Sequence, residues 1–346
     1  MIAGKFRARE ITVLARRLAV SAFAVFFLVG LTISYQAPGA LVVPVPEKAE
    51  TKEAVVRTLP STDLATLAKA VAAEWLERRS ADEVPNAAPE KLPSGLEDMD
   101  TSEKKTLFFR SILPHVLKVN LNIRLRRENL EAIAARLDKG ETLSPEDQSF
   151  IKDMVRRYRS GDDKPEWPGA EMKGIVSELL LRVDEVPPSL VLAQAALESA
   201  WGSSRFAIEG NNIFGLWVFN ATEGMIPRDR EEGANFSVAK FDSLTESVES
   251  YVRHLNTLFA YEDFRVLRAR MRQDSVDLDS TRLAEGLLEY SIRRDDYVQD
   301  VLNLIKANRL TKFDSARLVS GDTSAKRADE KQKPAYGPLR TKASDA

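Results

Sequence analysis

Along most of this chain apolar residues recur at intervals of three and four. That spacing lays them on one stripe of an α-helix. Over residues 63–79 the stripe is Leu64, Leu67, Ala68, Val71, Trp75 and Leu76, with charges opposite. Asp100 and Glu103 form a capping-box pattern that opens a long helical stretch, running to Lys139-Gly140 with a break or kink expected at Pro114. Ser144-Pro145-Glu146-Asp147 predicts another start: a capping serine, a proline at the first position and early acids. The helix it opens buries Phe150, Ile151, Met154, Val155 and Tyr158. After a turn-rich break at 162–169, a stripe of Met172, Ile175, Val176, Leu179, Leu180 and Val183 predicts the next helix. Pro187-Pro188-Ser189 then opens a helix over 190–201, ended by Gly202. Two runs of strand type, 213–219 and 235–241, predict a hairpin. Ser243 and Glu246 cap a further helix, and three more lie near 263–272, 280–290 and 296–308. The Pro-containing stretches 36–60 and 81–95 read as linkers, and the polar stretch 312–346 as a disordered tail.

One apolar run has a different character. Residues 18–35 carry no charge and follow Lys5, Arg7, Arg9, Arg16 and Arg17. As a helix, the run spans roughly 27 Å, close to the hydrocarbon thickness of a bilayer. The basic flank then stays in the cytoplasm and the remainder crosses. The alternative is a cleaved signal peptide, with small residues at Ala37-Pro38-Gly39-Ala40. Both readings carry the rest of the chain out of the cytoplasm, and the expected location is the inner membrane, single-pass, with the bulk of the chain in the periplasm.

Composition narrows the chemistry. The chain has 346 residues, 44% of them hydrophobic, enough for a sizeable core and about two globular units. Its 50 basic and 52 acidic residues nearly cancel, so no global field draws it to nucleic acid. It has no cysteine and only two histidines, His115 and His254. Thiol catalysis, cysteine-built metal sites and a multi-histidine metal centre therefore have no material. No metal and no cofactor is expected, and the work falls to carboxylates, hydroxyls and amides.

The 190–214 segment reads LVLAQAALESAWGSSRFAIEGNNIF. Helical spacing puts Gln194, Leu197, Glu198 and Trp201 on one face. Glu198 stands among Ala195, Ala196, Leu197, Ala200 and Trp201. Burying a carboxylate there raises its pKa, which suits a general acid acting on a glycosidic oxygen. The same pattern also fits a solvent-facing glutamate on an alanine-rich helix.

Ala193-Gln194-Ala195, Glu198-Ser199, Trp201-Gly202 and Asn212-x-Phe214-Gly215 resemble the glucosaminidase domain of glycoside hydrolase family 73. Further stretches resemble the Bax family within that group: Arg182-Val183-Asp184, His254-Leu255-Asn256, and Tyr290-Ser291 before Tyr297-Val298. The likeness covers about residues 103–311 and departs from pattern at Ile292-Arg293-Arg294, where relatives carry an acid and a glycine. It implies a mainly α (α+β) fold, with a lysozyme-like helical lobe and a small β-hairpin lobe, preceded by a helical region and the membrane segment. It implies an endo-β-N-acetylglucosaminidase cutting the β-1,4 bond after N-acetylglucosamine in peptidoglycan, with Glu198 as general acid. Alternatives are a muramidase or lytic transglycosylase on the same fold, or a glycan-binding module that does not cut. A second acid is expected on the hairpin among Glu223, Asp229, Glu231 and Glu232, with Glu231 preferred, unless the substrate's own N-acetyl group assists. Gln194, Trp201, Asn212, Phe214 and Tyr290 are the expected substrate-binding residues, although Trp201, Phe214 and Tyr290 also suit core packing. The expected plan is a basic flank (1–17), a membrane segment (18–35), a linker with one helix (36–100), a helical subdomain (101–164), the glucosaminidase domain (165–311) and the tail (312–346).

Overall fold

In the computed structural model of the protein, residues 55–78, 80–161, 167–218, 224–227 and 236–319 are described. The membrane segment, Glu231 and the tail beyond residue 319 lie outside them. The described chain opens with strand β1 (Arg57–Leu59) and helix α1 (Leu64–Leu76), whose N-cap Asp63 accepts from the Thr66 amide. Strands β2 (Glu83–Val84) and β3 (Ala87–Pro89) and a short turn of 3-10 helix lead into α2 (Thr101–Asp138). Helix α3 (Pro145–Tyr158) starts on the expected Ser144 cap, which exchanges hydrogen bonds with Asp147. Then come α4 (Gly169–Arg182), α5 (Pro188–Glu198) and the short α6 (Arg205–Gly210).

Next is a small antiparallel sheet of β4 (Trp217–Val218), β5 (Gly224–Met225) and β6 (Ser237–Ala239). Helices α7 (Leu244–Thr257), α8 (Glu262–Gln273) and α9 (Ser280–Ala284) follow. A 3-10 turn over Glu285–Tyr290, helix α10 (Asp295–Ala307) and strand β7 (Arg317–Leu318) complete the described fold. Among the described residues the architecture is mainly helical, and no helix is long and apolar enough to cross a membrane.

Helix α2 is the spine. It packs against α4, α5 and α7, and a single hydrophobic cluster runs from Phe108, Ile112 and Val116 into Leu190, Val191, Tyr251 and Leu255. The expected break at Pro114 is absent: α2 continues through it. Residues 111–117 are all buried, so tertiary packing outweighs the one backbone hydrogen bond the proline removes.

Three other expectations change. The 81–95 linker is packed structure, with Val84, Ala87, Ala88 and Leu92 buried. Strands of two or three residues are too short to show alternation, so only the prolines were visible. The tail begins later than residue 312, because β7 pairs in parallel with β2 and Asp314 grips the start of α5. The hairpin is a three-stranded sheet in the order β4-β6-β5, with β6 in the middle.

The approach to α5 is held unusually tightly. Asp184, just before it, is 2% exposed and sits 3.3 Å from Arg127, 3.8 Å from Arg268 and 2.8 Å from Arg272. Asn120 clamps Val186 by accepting from its amide and donating to its carbonyl. At the helix start, Asp314 accepts from both the amide and the hydroxyl of Ser189, satisfying an otherwise orphaned N–H.

Candidate active site

Helix α5 ends at Glu198, three residues earlier than its composition suggests. Ala200, Trp201 and Gly202 follow with φ of 51°, 62° and 79°. This left-handed turn explains the residues around it. The Ser199 hydroxyl donates to the Ala195 carbonyl and accepts from the Gly202 amide at 2.8 Å. At Gly202 a Cβ would lie 2.6 Å from Leu92 Cδ1 and 3.1 Å from Phe108 Cδ2, so both conformation and space demand glycine. Trp201 is turned onto α2, edge-on to Phe108 and Phe109, with the Lys105 ammonium 4.7 Å from its ring centre.

The turn leaves Glu198 half-buried at the mouth of an aromatic cluster. Phe214 stacks on Tyr251 at 4.0 Å between ring centres, and Tyr290 stacks on Tyr297 at 5.2 Å. Tyr261 lies 6.0 Å from Tyr290. The Gly215 backbone closes the opposite side, its Cβ direction 3.9 Å from Glu198 Oε2. Desolvation by these surroundings pushes the Glu198 carboxyl up to about 7, against a hydrogen bond from the Tyr297 hydroxyl and the positive charge of Arg293. Burial raises all four tyrosines, so they are neutral where Glu198 titrates.

Behind Glu198 the polar groups form a chain. The Tyr251 hydroxyl donates to Gln194 Oε1. Gln194 Nε2 donates to the Tyr297 hydroxyl oxygen at 2.9 Å. Tyr297 in turn acts on Glu198, opposing the upward shift of its carboxyl. Three helices, α7, α5 and α10, thus meet behind one carboxyl.

Several of the expected substrate ligands make contacts within the protein. Gln194 is fully buried in this chain. Asn212 is buried and committed to backbone: it donates to the Leu216 and Ala239 carbonyls and accepts from the Leu216 amide, tying the loop to β6. Phe214 is core, 2% exposed. Trp201 is half-buried and braced edge-on against Phe108 and Phe109 of α2. Tyr290 is near Glu198 but buried, its hydroxyl donating to the Phe214 carbonyl at 3.3 Å. These residues build the floor under the carboxyl. Trp217, on β4, keeps partial exposure and meets Phe236 edge-on. Both histidines are held near 4 by desolvation, neutral where Glu198 titrates. His115 bridges Thr245 and the Pro89 carbonyl. Sequence reasoning missed Tyr251, Tyr297 and Arg293 as neighbours of the acid. The available signal was the spacing of Tyr290 and Tyr297, which brackets the one stretch that departs from the family pattern.

The family profile for mannosyl-glycoprotein endo-beta-N-acetylglucosaminidase matches residues 177–310. "Protein bax" of Escherichia coli (strain K12) is 32% identical over 207 residues, covering 60% of this chain and 68% of that protein. The chain belongs to the Bax family. It is a glycoside hydrolase by virtue of its glucosaminidase domain. The matched span of this Bax-family chain holds every residue around Glu198 described above, whereas the braces from α2 and Leu92 lie before it. Among solved structures, the catalytic domain of the autolysin Auto from Listeria monocytogenes is similar at 18% identity and a TM-score of 0.29, covering 55% of this chain and 87% of that one.

Proposed function

We propose that this protein is a peptidoglycan hydrolase that cleaves the β-1,4 bond after N-acetylglucosamine, with Glu198 as the general acid. The observation that carries the reading is a carboxyl at the end of α5, half-buried against tyrosines, where desolvation pushes it up to about 7. Such a group is protonated over much of the neutral range and close enough to its own pKa to part with the proton. It protonates the leaving oxygen as the sugar takes on oxocarbenium character. The carboxylate that remains is stabilised by Tyr297 and Arg293, the groups that oppose its desolvation.

The second acid of this reading is Glu231, on the connection between β5 and β6. The glycan's N-acetyl group fills its role if Glu231 does not. The fold of the reading is a lysozyme-like pair of lobes, supported by helices on one side of Glu198 and the β4–β6 sheet near Gly215. A substrate outside the cytoplasmic membrane fits an anchor at residues 18–35 with the hydrolase in the periplasm. A reporter fused after Lys312 tests that location: activity on the outer side is expected, and activity confined to the cytoplasm contradicts it.

The function is tested by zymography on peptidoglycan with wild type and Glu198→Gln. The variant keeps shape and loses the transferable proton, so clearing falls by at least about 100-fold. Products of the wild type carry N-acetylglucosamine at the new reducing end. Muramic acid or its anhydro form there overturns the bond assignment, and full clearing by Glu198→Gln overturns the acid.

A further inference from the structure

Helix α5 runs from Pro188 to Glu198, and both of its ends are gripped by distant parts of the chain. At the start, the capping position holds Pro187, which has no side-chain acceptor for the first helical amides. Asp314, 125 positions along the chain, takes that role. Its carboxylate accepts from the Ser189 amide at 2.8 Å and from the Ser189 hydroxyl at 2.7 Å. At the far end, the Trp201 amide turns back to the Ala196 carbonyl at 2.9 Å, through a bend in which Ala200 and Trp201 both have positive φ. Alanine and tryptophan disfavour that backbone, so the bend depends on what packs against it. Leu92 does so at Gly202, and Phe108 and Phe109 of α2 take the Trp201 ring.

The two grips are joined to each other. Strand β7 pairs in parallel with β2, Arg317 opposite Glu83 and Leu318 opposite Val84. The Arg317 amide donates to the Asp82 carbonyl at 2.9 Å, the Val319 amide donates to the Val84 carbonyl at 2.9 Å, and the Arg317 guanidinium lies 3.1 Å from the Asp82 carboxylate. Asp314 stands just before β7, and Leu92 follows β2 and β3. Both residues lie outside the matched glucosaminidase span, one before it and one after it.

We propose that these flanking segments form one clamp on α5, with Asp314 and Leu92 as positioning residues that hold Glu198 in register with the glycosidic oxygen. The inference rests on Glu198 being the general acid. Neither residue touches the sugar in this account. Asp314 fixes the first turn of the helix. Leu92 fills the space beside Gly202 and keeps the bend wound. Glu198 is the last helical residue, the one that frays when the bend loosens. A displacement of about 1 Å is enough to cost on the order of 100-fold in rate. Leu190, Val191, Leu192 and Ala193 bury the helix in the core whether or not a grip is present, so a lost grip shows in the placement of α5 before it shows in folding.

The test is steady-state hydrolysis of peptidoglycan by the full chain, with rates taken per folded molecule by circular dichroism. Leu92→Ala and Asp314→Ala are each expected to lower kcat about 10- to 100-fold with KM unchanged. Leu92→Met, which keeps the bulk, and Asp314→Asn, which keeps an acceptor for the Ser189 amide, are expected to recover most of the rate. Leu130→Ala opens a cavity in the fully buried part of α2 and is expected to destabilise the protein while leaving kcat per folded molecule unchanged. If Leu92→Ala does not fold, Asp314→Ala on the half-buried side chain carries the same expectation. An unchanged kcat in Asp314→Ala overturns the inference. A raised KM with unchanged kcat does so too, because it makes the segment part of the sugar site. An equal loss of kcat in Leu130→Ala reduces the effect to general loosening and also overturns it. Full activity in Glu198→Gln defeats the general-acid reading itself. An inactive Glu198→Gln beside an unchanged kcat in Leu92→Ala and Asp314→Ala defeats only the clamp.

Discussion

Two carboxyls bracket helix α5 and have opposite fates. Asp184 lies just before the helix, 2% exposed, and three guanidiniums face it: Arg268, Arg272 and Arg127. Burial alone would raise it, but those charges outweigh burial and hold its carboxyl below the usual aspartate range. Glu198 lies at the other end, where neutral tyrosines and Phe214 replace the guanidiniums and, among the described residues, Arg293 alone supplies opposing charge. Desolvation wins there. The same physical act, removing a carboxyl from water, thus yields a permanent anion that anchors a loop and a proton donor that titrates near neutrality. Partners decide the role.

The contrast breaks most forcefully at Asp184. Asp184→Asn keeps the shape but strands a fully buried Arg268 among uncompensated charges. Removal of one member of a buried ionic cluster costs about 3–5 kcal/mol, and denaturant unfolding of the variant checks it. Activity per folded molecule is expected to survive, since Asp184 is far from the chemistry in role. The group is depressed when folded, so its contribution is present above the unfolded value near 3.8 and is lost as pH falls through the lower folded value.

Glu198→Gln sharpens the comparison in the other direction. A carboxyl raised to about 7 when folded favours folding fully below its unfolded value of 4.5, and that advantage is lost as pH rises through 7. The variant has no such loss. It should therefore match wild type in acid, relative to a common reference, and become the more stable of the two above neutrality, by up to about 3 kcal/mol. Parallel thermal melts at acidic and alkaline pH measure the difference. Identical pH dependence in both proteins would remove the raised carboxyl from the account.

Much of this was legible in the sequence, for local reasons. The Ser144 start of α3 and the Ser243 start of α7 are visible because a capping residue bonds only a few positions away. Glu198 stood out as a lone acid among alanines, but that pattern fitted a solvent-facing glutamate equally, and the motif around it carried its reading as an acid. The end of α5 was not, since Ala200 and Trp201 take left-handed backbone that their identities disfavour, held by Ser199 and by the space reserved at Gly202. Gln194, Asn212 and Phe214 belong to the motif, yet motif membership does not separate a residue that touches sugar from one that builds the floor beneath the acid. Tyr297 meets Gln194 from 103 positions along the chain, and no spacing rule reports such a meeting. Strands β2, β3 and β7 are too short to carry a period, and their pairing joins distant parts of the chain.

The central claim is that the fold keeps the Glu198 carboxyl protonated near neutrality while Asp184 stays ionised. NMR titration of the carboxyl carbons, with Glu198→Gln used to assign the Glu198 signal, tests it directly. The account predicts a Glu198 midpoint near 7 and an Asp184 signal that stays that of an anion until the pH falls below the ordinary aspartate range. A Glu198 midpoint at the ordinary glutamate value of 4.5 would contradict it.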